Sequence, residues 1–241
     1  MTDREIDVAL ADSPTVDKAL LERISRRIVP NLRAVRPLAA RLLAVQLIAI
    51  AAAVAFAGAS QIGFYAIHRL TDGQTAMIFP GLAILIWLAA AAATAAMIPG
   101  ARQRLRPLPL MALACAALLA IFALIFRDYS TARFLHQGIA CLKAGLMDAL
   151  PAGLVAWLVL RRGFAVDSAA AGAATGALAG LAGVLMLELH CPIFKAPHVM
   201  VWHTAVIPVS GAVGWVMGKS RNLKTPRTSR SLALPKSRAG G

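Results

Sequence analysis

Apolar positions in this chain come in long unbroken runs rather than in one-sided stripes. Six stretches, at about 42–59, 76–98, 107–126, 138–160, 168–189 and 198–217, are dominated by Ala, Leu, Val, Ile and Gly, and the polar residues gather between them. Each run is near the roughly 20 residues that an α-helix needs to cross a hydrocarbon core. A backbone in lipid must satisfy its own hydrogen bonds, so the pattern predicts an all-α, polytopic membrane protein with six transmembrane helices. The alternating segments of about ten residues that mark an outer-membrane barrel do not occur.

The ends of the chain follow other patterns and divide it into three parts: a segment over 1–40, the bundle over 41–218 and a tail over 219–241. In the first part, Ser13-Pro14 offers an N-cap and a first-turn proline. Val16, Leu20, Ile24 and Ile28 then recur every fourth residue, while charged residues take the other faces. This predicts a short amphipathic helix ending near Pro30. So short a helix is marginal alone and needs a surface for its apolar stripe. Three surfaces qualify: the anionic lipid of the inner leaflet, the loops of the bundle, or a groove on a soluble partner. The acidic head, Asp3, Glu5, Asp7 and Asp12, would be repelled by anionic lipid and favours a basic protein partner. The tail is rich in Lys, Arg, Ser and Pro without periodicity and reads as disordered.

Composition agrees with a membrane protein. Hydrophobic residues make up 59% of the 241 and charged residues only 15%, where a soluble chain carries about a quarter charged. A soluble enzyme, a nucleic-acid-binding domain and a secreted disulfide scaffold are thereby excluded, and the net charge of +14 does not imply direct contact with nucleic acid. Its cause is topological. Twenty basic residues fall before span one, after spans two and four, and after span six, against four in the other loops. The positive-inside rule therefore places both termini in the cytoplasm, and the chain suits a bacterial inner membrane. The first 40 residues do not read as a cleavable leader, so span one is expected to direct insertion.

Once that topology is set, all five histidines map to the outer side, with Cys141 near the outer end of span four and Cys191 in the last outer loop. Glu188-Leu189-His190-Cys191-Pro192, then His198 and Trp202-His203, bring imidazoles and a thiol to one membrane edge. Two chemistries fit. Thiolate and neutral imidazole make a borderline-soft site for zinc, cadmium or copper. Alternatively, Cys141 and Cys191 in an oxidising periplasm can form a disulfide. A metal ion here would be a transient ligand rather than an obligate cofactor. Cys115, in the middle of span three, reads as a small buried hydrophobe. Within span four, Lys143 lies five residues from the expected outer end and can snorkel outward. Asp148, ten residues in, is near the midplane and should be neutral, paired or in a wet cavity. Cys141, Gly145 and Asp148 share one helix face. In span five, Gly172, Gly176 and Gly180 make a seam of small residues suited to close helix packing.

Leu32-Arg33-Ala34-Val35-Arg36-Pro37-Leu38, Cys141, Leu160-Arg161-Arg162-Gly163, Leu189-His190-Cys191-Pro192 and His198-Val199-Met200-Val201-Trp202-His203, in that order, resemble the negative regulator of sigma F (NrsF) family. The similarity runs from about residue 20 to 218. It implies a six-span inner-membrane anti-sigma factor, not an enzyme, which holds an extracytoplasmic-function sigma factor and releases it under heavy-metal or oxidative stress. It further implies that Cys141 and Cys191 carry the signal, with His190, His198 and His203 as candidate companions. Docking of the sigma factor would fall to the helix of Val16, Leu20, Ile24 and Ile28. Two rivals remain on the residues alone. A metal-ion transporter needs ionisable groups in several spans, and only Lys143 and Asp148 lie well inside. A membrane thiol oxidoreductase generally needs a second cysteine pair for relay.

Overall fold

In a computed structural model, the described residues are 22–23, 25–26, 39–98, 106–160 and 167–224, with side chains as far as 220. Six long apolar helices account for nearly all of them, and no strand occurs among the described residues. They are α1 (Ala40–Ile62), α2 (Asp72–Ala95), α3 (Pro107–Ile125), α4 (Phe134–Leu160), α5 (Ser168–His190) and α6 (Thr204–Lys224). A single helical turn (Ala196–His198) and a π-helical turn (Val199–His203) lead into α6. Val16, Leu20, Ile24 and Ile28 lie outside the described residues. Of their segment, Glu22, Arg23, Ser25 and Arg26 are helical, and the Arg26 guanidinium meets the Glu22 carboxylate one turn back at 2.9 Å.

The helix ends are set by local chemistry. At the start of α2, the Thr71 hydroxyl accepts from the Gln74 amide at 3.3 Å, and the Thr71 amide donates to the Gln74 side chain at 3.0 Å. This reciprocal cap satisfies two otherwise orphaned amides. It starts the helix at Asp72, ahead of the apolar run that begins near 76. Asp167 caps α5 by accepting from the amides of Ala169 and Ala170, each at 3.0 Å. Pro80, Pro151 and Pro208 lie inside helices, which membrane bundles tolerate because neighbouring helices help re-satisfy the freed carbonyls.

The start of α4 corrects the sequence reading. His136 and Gln137 interrupt the apolar run, yet the helix begins at Phe134, because the Phe134 ring packs on Trp202 at 5.4 Å between centroids. Lys143 is therefore nine residues in, about 13 Å along the axis rather than about 7.5 Å. It points away from the bundle. Asp148 falls at the middle of the 27-residue helix and is nine-tenths buried.

Helix α5 is the centre of the bundle. It is buried along most of its length and touches every other long helix. Its Ala- and Gly-rich surface permits this. A methyl group added at Gly172 would strike the carbonyl of Gly214, one at Gly176 the carbonyl of Ser210, and one at Gly183 the carbonyl of Gly145. The glycine seam thus brings α5 into backbone contact with α6 on one side and with α4 on another, so van der Waals packing and not hydrophobicity holds the helices together.

A fourth glycine has a different role. On α1, a Cβ at Gly58 would overlap the Asp148 carboxylate and approach Met186 Cγ at 3.2 Å. Asp148 Oδ2 is buried without a hydrogen-bond partner. Gly58→Ala should therefore cost about 1–3 kcal/mol, the usual range for overpacking, seen as a lower Tm in detergent. Adding Asp148→Ala should recover most of that loss. A double variant no more stable than Gly58→Ala would show that Gly58 serves something other than room for the carboxylate.

Candidate functional site

Three loops meet at one end of the bundle and lock together. In the α1–α2 loop, the Ala66 amide donates to the Leu189 carbonyl at 3.2 Å, and the Gly63 carbonyl accepts from His190 Nδ1 at 2.9 Å. In the α3–α4 loop, the Asp128 carbonyl accepts from the Ala196 amide at 2.7 Å, while Phe126 stacks on Phe194 with centroids 5.7 Å apart. The Asp128 carboxylate accepts from the Ser130 amide at 2.9 Å, and the Ser130 bond holds its carboxyl below the usual carboxylate range. These ties fix the segment 191–196 from both sides.

Cys191 caps the C-terminus of α5, and its amide donates to the Leu187 carbonyl at 2.7 Å. Its Sγ faces Cys141 Sγ on α4 at 3.4 Å, too far for the roughly 2.05 Å of a disulfide and close enough for a shared ligand. The contact with Cys141 and burial both push the Cys191 thiol up. His198 Nε2 lies 3.7 Å from Cys191 Sγ, and the His198 and His203 rings meet edge to face at 5.4 Å. One ligand atom from each of Cys141, Cys191, His198 and His203 falls within 4.8 Å of all the others.

The π-helical turn makes this grouping. Along an α-helix, residues five apart point about 140° away from each other. A wider π turn, with its i→i+5 bonding, nearly closes over five residues. His198 and His203 thereby face the same cluster. Pro208 contributes by lacking the N–H that would bond the Thr204 carbonyl, which loosens the ladder just beyond the turn.

Behind His203 stands Glu188. Its carboxylate accepts from His203 Nδ1 at 2.6 Å, with both side chains almost completely buried. A carboxylate oxygen accepts, so Nδ1 is the donor, and Nε2 on the far side of the ring is buried without a hydrogen-bond partner. Sequence reading missed Glu188 as a site residue. Its signal was a carboxylate two residues before His190 within the apolar run Leu185–Leu189.

The structure thus brings together Cys141, Cys191, His198 and His203 and separates His190 from them. The correction has a clear cause: at the last residue of α5, the His190 ring turns to the α1–α2 loop, where it bonds Gly63 and packs against Tyr65 at 5.6 Å. Cys115 is in α3, half-buried against the core and outside the cluster. Asp148 lies two turns below Cys141 on the same inward face, with Gly145 between them packed on Leu187 and Val206. Trp202 closes the site's edge against α4, in space that a Cβ at Gly138 would fill.

Compared with known proteins, the chain matches the family described as negative regulator of sigma F over residues 28–222. No curated protein and no solved structure matches it.

Proposed function

The chain belongs to the negative regulator of sigma F family, and on that premise we propose that it is a membrane-bound anti-sigma factor with a sensor at the opposite face. It holds an extracytoplasmic-function sigma factor at the cytoplasmic side of a bacterial inner membrane. It lets go when the Cys/His site meets a heavy-metal ion or an oxidant. The observation that carries this reading is the approach of Cys141 and Cys191 to 3.4 Å from positions fifty residues apart. Two thiols so placed, one on α4 and one at the end of α5, can report a chemical event as a change in helix packing.

The excess of basic residues in the loops away from the site supports an N-in, C-in orientation with the sensor in the periplasm. The segment before α1, with Val16, Leu20, Ile24 and Ile28 along one stripe, supplies the docking helix. One face of α4 carries Cys141, Gly145 and then Asp148, which lies against Gly58 of α1, and α1 follows the docking segment in the sequence. A coupling of about 1–3 kcal/mol between the two ends, the ordinary allosteric range, changes sigma-factor affinity about 5- to 150-fold. A transporter would need a polar path. Among the described residues, Asp148 is the one ionisable side chain buried in the bundle below the cluster of Glu188, His198 and His203.

The test is co-purification of the detergent-solubilised full chain with the host's extracytoplasmic-function sigma factors. The expected result is capture of one of them, lost on deletion of residues 1–30 and reversed by cadmium. Capture of none by the full chain would overturn the reading.

A further inference from the structure

We propose that Cys141, Cys191, His198 and His203 are the four ligands of one closed, tetrahedral site for a borderline-to-soft divalent cation of the zinc and cadmium class, with Glu188 orienting His203 from behind. The inference rests on the sensing reading above for its biological use, and names the ligand of that sensor. Four observations lead to it.

The first is distance. With metal–sulfur bonds of about 2.3 Å and metal–nitrogen bonds of about 2.0–2.1 Å, neighbouring ligand atoms of a tetrahedron stand roughly 3.3–3.8 Å apart. Cys141 to Cys191 is 3.4 Å and Cys191 to His198 is 3.7 Å. The widest pair, within 4.8 Å, needs to close by about 1 Å.

The second is unmet polarity. His203 Nε2, the ring nitrogen opposite the one bonded to Glu188, is buried without a hydrogen-bond partner. Native interiors seldom leave such a group unanswered. Beside two thiols and the His198 Nε2 that faces Cys191, it marks a missing polar centre.

The third is the outer shell. Histidines that bind zinc almost always give their other ring N–H to a carboxylate, a carbonyl or water, which fixes the tautomer and raises ligand basicity. Glu188 makes that bond to His203 at 2.6 Å.

The fourth is charge and closure. Two thiols, two imidazoles and a carboxylate, without a lysine or arginine among them, attract a cation rather than an anion. Four protein ligands leave no open position, which is the pattern of a binding site rather than of a hydrolytic one. Cys141, only half-buried, is the edge through which an ion enters. Once seated, the ion joins α4, the end of α5 and the entrance to α6.

The experiment is metal binding by the purified full chain in detergent, without sigma factor, by equilibrium dialysis against zinc and cadmium and by X-ray absorption of the loaded protein. One ion per chain is expected, with two sulfur and two nitrogen neighbours. Cys141→Ser, His198→Ala and His203→Ala should each weaken binding at least about 100-fold, and Glu188→Gln about 10- to 100-fold. His190→Ala should bind as the wild type does. Sulfur neighbours without nitrogen, or His198→Ala and His203→Ala proteins that bind normally, would overturn the four-ligand site. The wild-type absorption spectrum decides the matter even if a variant does not fold. A protein that captures its sigma factor and releases it on oxidation but binds no ion overturns this site alone. A protein that binds one ion in this geometry but captures no sigma factor overturns the regulatory reading and leaves the site standing.

Discussion

A Gly176→Leu protein will lose about 3 kcal/mol or more of stability, at or beyond the top of the usual overpacking range. A Cβ at that position meets the carbonyl oxygen of Ser210, its carbon at 2.9 Å and Gly211 Cα at 3.0 Å. All of these belong to the backbone of α6, so no rotamer change can relieve the clash, and the two helices must separate along the seam. Separation forfeits packing that lipid chains replace only in part. Gly73→Leu is the matched control, since a Cβ at Gly73 meets nothing within 4 Å. Thermal and SDS denaturation in detergent should place Gly73→Leu near the wild type and Gly176→Leu far below it. Equal behaviour of the two would mean that α5 and α6 are not in backbone contact.

The second large effect concerns the response rather than the fold. A Cys141→Ser/Cys191→Ser protein will still hold its sigma factor but will not release it to cadmium or to an oxidant. Serine keeps the shape of cysteine and loses both the soft ligand and the redox chemistry. Cys141 is half-buried and Cys191 buried with no covalent bond between them, so the exchange removes little packing. In sigma-factor binding assays the wild type should weaken about 5- to 150-fold on cadmium addition, and the double variant by less than about twofold. Cys115→Ser should respond like the wild type, since Cys115 is outside the cluster. A Cys115→Ser protein that fails to respond, beside a double variant that responds normally, would assign the signal to the wrong thiols.

Much of this architecture is legible in the residue pattern, because the bilayer imposes a length on every helix. The six runs locate the spans within a few residues, and the four-residue spacing of Gly172, Gly176 and Gly180 marks the seam. Where polar chemistry rather than apolar length decides, the pattern is silent. The Thr71–Gln74 cap starts α2 early, and α4, where Phe134 packs on Trp202, also starts early, which puts Lys143 farther along its helix. The site is legible in its thiols and in His198 and His203. What sequence spacing could not give is the π turn that swings those two rings together. Nor could it show that His190, adjacent to Cys191 in sequence, faces the opposite loop, or that Glu188 faces His203, fifteen residues away.

The position of α5 has a consequence for synthesis. Helices leave the ribosome in order, so α1 to α4 enter the bilayer before the helix that each of them packs against exists. Until α5 arrives, the inward face of α4, Asp148 included, has only α1 and lipid beside it. The pairings of α1 with α2 and α4, and of α2 with α3, can form early, but the bundle closes only when the α5–α6 hairpin inserts. A chain truncated after Leu160 would keep those pairings and lack the helix at its centre.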